Sequence, residues 1–184
     1  HHRLGRTPPR RQRADAVTGG QAMMAPPRSG QTHAMSDTTP AAGDATGSAP
    51  PDDALTRFMH TTMPFMAVLG AEAIVATPEA VRVRMAWRPD LCTSAEVMHG
   101  GALMSLADGT GAWCAFLHLP PGATTTTVES KTNLLRAVTG GHVEAVARPL
   151  HAGRRFVVVD TELRDEDGRL VARTTQTQAV LGGG

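Results

Sequence analysis

The sequence has no tyrosine, four phenylalanines, two tryptophans and only two cysteines in 184 residues, with a formal net charge of +1. That scarcity of aromatics, on a nearly neutral chain, excludes the basic and aromatic surface that nucleic-acid binding requires. Cys92 and Cys114 cannot build a disulfide framework, and no paired spacing suggests a metal clip, so no metal is expected. No run approaches the roughly 20 apolar residues of a membrane span, and no apolar signal core opens the chain. The expectation is a soluble, cytoplasmic protein with no nucleic-acid or membrane partner.

The length suits one domain with a real core. Residues 1–50 are rich in Pro, Gly, Ala, Ser, Thr and Arg without any apolar period, and are expected to be disordered because they cannot bury enough surface to offset their ordering entropy. Met35 to Thr38 reads as a natural start, which makes the preceding stretch an over-extended beginning; an arginine-rich targeting segment is the other reading. Residues 51–184 carry the folded domain.

Leu55, Phe58, Met59 and Met63 recur at helical spacing until Pro64, predicting a short helix. Val81, Val83, Met85 and Trp87 alternate with Arg82, Arg84, Ala86 and Arg88, the period of a half-buried strand, and Met66 to Ala76 is its expected partner across a turn near Pro78. Between Met98 and Leu119 apolar residues return every three or four positions until Pro120, Pro121 and Gly122, which predicts a buried central helix of about five turns. Four strand-like runs follow, near 124–137, 142–151, 155–164 and 170–181, the last two joined at Asp165 to Gly168. Helix, two strands, long helix and four strands make an α+β arrangement in which an antiparallel sheet wraps one apolar helix.

Asp108 is the one formally charged residue between Glu96 and Glu129, in the middle of that central helix. An ionised carboxylate without partners in an apolar setting costs several kcal/mol, so Asp108 must face a cavity, be paired, or serve a reaction. Met104, Gly111, Ala112 and Ala115 lie near it on the helix and are mostly small, as suits a cleft wall or a close subunit contact. His99, Gly100 and Gly101 open the same helix, whose free N–H groups and partial positive charge attract a carbonyl oxygen becoming negative. Cys114 and His118, four apart, read as a core thiol and a helix-end histidine rather than a nucleophile pair. Phe65, Met66, Trp87 and Trp113 are candidates for an acyl pocket or for plain core.

The run His99, Gly100, Gly101 through Leu106, Ala107, Asp108 resembles the signature of phenylacetate-degradation-type thioesterases of the hotdog superfamily. Thr126 to Arg136, Gly153 to Arg155 and Asp165 to Ala172 are similar to further stretches of that family, so the likeness covers residues 55–181. The resemblance implies an acyl-CoA thioesterase acting on an aryl- or medium-chain ester, with coenzyme A as part of the substrate and no cofactor besides. It also implies a homodimer, or a homotetramer built from dimers, with active sites between subunits. Gly100 N–H of one chain would polarise the thioester carbonyl, and Asp108 of the other would attack it or activate water. His99 and Gly101 would shape the turn, Thr127 would support the attacking group, and Arg154 and Arg155 would meet the phosphates of CoA. The chain departs from the family at Thr93, where Asn is usual, and at Glu96, where Gly is usual; Thr93 can still offer a hydroxyl to substrate or water. A hotdog hydratase or dehydratase and a non-catalytic acyl-CoA-binding protein are the rival readings; the first would want a catalytic histidine beside the acid, the second would need no acid at all.

Overall fold

The side chain of Asp52 starts the first regular element: its Oδ1 accepts the N–H groups of Ala54 at 2.8 Å and Leu55 at 2.9 Å, capping α1 (Asp53–Thr62). These contacts belong to a computed structural model that describes residues 49–183. The expectation of disorder up to residue 50 therefore lies outside the described residues, except at 49 and 50, which are exposed and without regular structure.

Pro64 does not end the helical region. It takes the first position of a second helix, α2 (Pro64–Val68), where its missing N–H costs nothing. The strand expected from Met66 therefore begins only after Gly70, whose φ of 64° turns the chain into β1 (Ala71–Ala76). β1 pairs with β2 (Val81–Ala86), and Thr77 and Ala80 close the turn between them with reciprocal backbone bonds of 3.0 and 3.2 Å.

A short 3-10 turn (Pro89–Leu91) and a loop lead to α3 (Gly100–Phe116), which carries the chain to the far edge of the sheet and β3 (Thr124–Leu134). The meander β4 (His142–Ala152), β5 (Phe156–Asp165) and β6 (Leu170–Leu181) then fills the middle, giving one antiparallel sheet in the order β1-β2-β4-β5-β6-β3. Val83, Ala145, Val159 and Leu163 on the inner face are fully buried against Leu103, Leu106 and Trp113 of α3. Each large side chain so buried contributes about 1.5–3 kcal/mol. Ala145 and Ala147 in β4 are small where the helix crosses mid-sheet, so helix and sheet approach closely. This is the hotdog arrangement. Trp113 belongs to the core, 2% exposed and 5.9 Å from the Phe58 ring, and does not line a pocket. No helix among the described residues is long and apolar enough to cross a membrane.

One irregularity positions the functional face. The β3–β6 pairing shifts between Thr127, opposite Gln178, and Glu129, opposite Thr177, leaving Val128 as an extra, exposed residue. Before this bulge Thr127 faces α3; beyond it Ser130 and Thr132 do. A regular strand would have sent Thr127 and Ser130 to opposite faces.

Candidate active site

The amino end of α3 is organised by its own cap. His99 Nδ1 accepts the Gly101 N–H at 2.8 Å, and His99 O accepts Ala102 N–H at 2.9 Å and Leu103 N–H at 3.3 Å. With Nδ1 accepting, the proton of the neutral ring sits on Nε2. Gly100 N–H is left with no hydrogen-bond partner among the described residues. The turn thus contains one unused donor at the positive end of the helix, next to a residue with no Cβ.

The preceding loop is folded on itself. Thr93 N–H donates to Val97 O at 2.8 Å, Glu96 N–H donates to Thr93 O at 3.0 Å, and Thr93 Oγ1 accepts from Ala95 N–H at 3.3 Å. Glu96 has a φ of 57°, the left-handed region that favours glycine, and its carbonyl accepts the Trp87 indole N–H at 3.2 Å. The glycine that the family resemblance leads one to expect at this position would adopt that backbone without strain. Trp87 is a brace for the loop rather than a pocket wall.

Asp108 lies two turns further along α3 and is half-buried rather than enclosed. Its Oδ1 accepts the Thr127 hydroxyl at 3.2 Å and lies 3.4 Å from Gln176 Nε2, which also approaches the Asp108 main-chain oxygen at 3.3 Å. Oδ2 has no partner, and no cation pairs with the carboxylate among the described residues. Behind Thr127, Gln178 Nε2 donates to Thr127 Oγ1 at 2.7 Å, while Gln178 Oε1 accepts from the Thr125 hydroxyl at 3.1 Å. Both glutamines are fully buried. Sequence reasoning does not single them out; the available signal was two amides two apart on the last strand, with threonines on both faces, where a covered sheet calls for apolar residues.

In front of Asp108 is a cleft of about 410 Å³ lined by Met63, Phe65, Met66, Met104, Asp108 and Ser130 among others. Two of the four apolar candidates from the sequence, Phe65 and Met66, are therefore at the cleft. Met66 comes close because Gly109 is bare: a methyl group there would run into its sulfur. Arg154 and Arg155 line a separate groove of about 550 Å³ with His151, Gly153 and Phe156, at the entry to β5. The two regions share one end of the sheet, since Val157 pairs with Gln178 and Gln178 with Thr127.

Within one chain the fold brings together Asp108 and Thr127, but not the rest of the predicted set. The eight residue steps from Gly100 to Asp108 span about 12 Å of helix. Cys114 is no alternative nucleophile, because burial pushes its thiol up to about 11 and leaves it 0% exposed. His118 is occupied by Pro78 O at 2.9 Å.

A long helix wrapped by a six-stranded antiparallel sheet defines a scaffold of the hotdog type, here with an acid on the helix facing a cleft. Residues 95–172 match the sequence profile of the thioesterase superfamily. A Mycobacterium tuberculosis protein named as an esterase is 30% identical over 118 residues, 62% of this chain and 84% of that one. The chain belongs to the thioesterase superfamily. Escherichia coli 1,4-dihydroxy-2-naphthoyl-CoA hydrolase is 34% identical over 85 residues, 46% of this chain and 62% of that one. The solved PaaI protein of the Escherichia coli phenylacetic acid degradation operon shares the fold, with a TM-score of 0.63 over 69% of this chain and 91% of that one at 23% identity.

Proposed function

We propose that the protein hydrolyses an aryl- or medium-chain acyl-CoA to the free acid and CoA in a site shared by two subunits, with Asp108 as nucleophile or general base. The observation that carries this reading is the state of the Asp108 carboxylate: on a cleft wall, steadied on one oxygen by Thr127 and free on the other, with no cation pairing it among the described residues. A carboxylate in that state can add to a thioester carbon, giving an acyl-aspartyl anhydride and CoA thiolate that water then resolves. Alternatively it can take a proton from water as the water adds. In either case the carbonyl oxygen gains charge and needs a donor, and one well-placed N–H is worth about 3 kcal/mol there.

Gly100 supplies that donor from the neighbouring chain. Its N–H is unused, and about 12 Å of helix separates it from Asp108 of its own chain. One carbonyl cannot touch both groups of one chain. The long edge strand β3, which among the described residues pairs only with β6 and exposes Val128 and Leu134, is the natural seam for a second copy. Arg154 and Arg155, which have no ion pair among the described residues, meet the phosphates of CoA. His99 fixes the turn through Gly101, and Thr93 holds the loop in front of it. The cleft, lined by Met63, Phe65, Met66 and Met104, takes the acyl group, and the naphthoyl-CoA hydrolase relative supports an aromatic one. The test is release of free thiol from benzoyl-CoA, phenylacetyl-CoA, hexanoyl-CoA and octanoyl-CoA. The wild type turns over at least one, and Asp108→Asn and Asp108→Ala stay folded but lose most of kcat. Unchanged activity in either variant removes Asp108 from the chemistry.

A further inference from the structure

The donors around Asp108 run in one direction. The Thr125 hydroxyl shares its single proton between Gln178 Oε1 at 3.1 Å and Ala179 O at 3.0 Å, on the oxygen side of the Gln178 amide. Gln178 Nε2 then donates to Thr127 Oγ1 at 2.7 Å, and Thr127 donates to Asp108 Oδ1 at 3.2 Å. A hydroxyl has a single proton, so once an N–H fills an acceptor site of Thr127 that proton points elsewhere, and at this exposed position Asp108 Oδ1 is the protein acceptor it meets. Gln178 is fully buried, and both ends of its amide meet protein partners, Thr125 at Oε1 and Thr127 at Nε2. The relay exists because the β3–β6 register sets Gln178 directly opposite Thr127, immediately before the bulge at Val128.

We infer that Gln178 is a positioning residue for the hydrolysis: by occupying an acceptor site of Thr127 it turns the hydroxyl proton toward Asp108 Oδ1, which leaves Oδ2 as the oxygen that meets substrate. This rests on the thioesterase reading above. Gln178 touches neither substrate nor carboxylate and acts only through Thr127. Its removal therefore alters how often Asp108 is correctly aimed, not how well substrate binds.

The experiment is a double-mutant cycle on the ester turned over fastest, benzoyl-CoA or octanoyl-CoA. Gln178→Met keeps the volume and loses the donor; Thr127→Val keeps the shape and loses the hydroxyl. Gln178→Met lowers kcat up to about tenfold, the worth of one hydrogen bond, with KM within about twofold. Thr127→Val loses at least as much, and the double variant is no slower than Thr127→Val alone, because the amide has no other route to Asp108. Thr127→Ser retains activity. Thr125→Val, at a less buried position, provides a variant with a milder packing change and loses about two- to threefold by the same reasoning. Additive losses in the cycle, or an unchanged kcat in Gln178→Met, overturn the relay. Asp108→Asn is assayed alongside. If it retains full activity, the thioesterase reading and the relay fall together; if it is inactive while Gln178→Met is normal, only the relay falls.

Discussion

Gly111 and Gln176 compete for one space: a methyl group on Gly111 would fall 2.6 Å from Gln176 Cδ, although the two residues lie on α3 and β6. The missing side chain is what lets a buried amide lie flat against the helix and reach Asp108 from behind. Gly111→Ala must push the amide or the helix away. Overpacking of this kind costs about 1–3 kcal/mol, so thermal unfolding shifts down by several degrees. Turnover falls as well, because Gln176 leaves Asp108. An Ala variant with wild-type Tm and kcat would mean that the contact relaxes freely.

A shared site predicts complementation. Gly100→Pro removes the N–H at the first helical position, where proline is tolerated, and Gly100→Ala controls for the added bulk against Leu134. Homodimers of Gly100→Pro and of Asp108→Asn are both inactive. Unfolded, mixed in equal amounts and refolded together, they regain about one quarter of wild-type activity: half of the reassorted dimers are hybrids, and each hybrid has one intact site. Thiol release before and after mixing reads this directly, and no recovery would place both groups of each site in one chain.

The groove at Arg154 and Arg155 binds charge, not acyl group, in the proposed reading. Alanine at either position raises KM for a CoA ester by about tenfold, the worth of one charge-assisted contact. The same variants handle the matching pantetheine thioester, which lacks the nucleotide, no differently from wild type. Equal losses on both substrates would show that the arginines maintain structure instead.

Glu96 carries strain that a glycine would not. A side chain in the left-handed region costs about 1–2 kcal/mol, and glycine returns roughly half of that as unfolded-state entropy. Glu96→Gly therefore stabilises the fold by about 0.5–1 kcal/mol, seen as a rise of a few degrees in Tm. The Trp87 bond to the carbonyl at residue 96 survives, being made by backbone.

Much of the fold was legible because each element has its own period or its own punctuation. The alternation from Val81 to Trp87 gave β2, and the apolar recurrence ended by Pro120 gave α3, shorter than expected by two residues at its start and three at its end. The Met66 to Ala76 segment was misread because a short apolar stretch fits a strand or a buried helix equally, and only Gly70 divides them. Resemblance pointed to Thr127, which the structure sets 3.2 Å from Asp108, while the neighbouring Gln176 and Gln178 carry no local signal strong enough to single them out.

By itself the sequence determined which residues could do chemistry: a lone acid within an apolar helix, two glycines at its start, and arginines at a strand entrance. Their helix or strand is set by local spacing, which any reader of the chain can count. Only the tertiary structure decided which face each residue presents and what lies behind it. One extra residue at Val128 turns both Thr127 and Ser130 toward α3, and strand register sets Gln178 against Thr127. Pairing between segments some fifty residues apart depends on how the whole sheet buries its inner face, so no local pattern could have specified it.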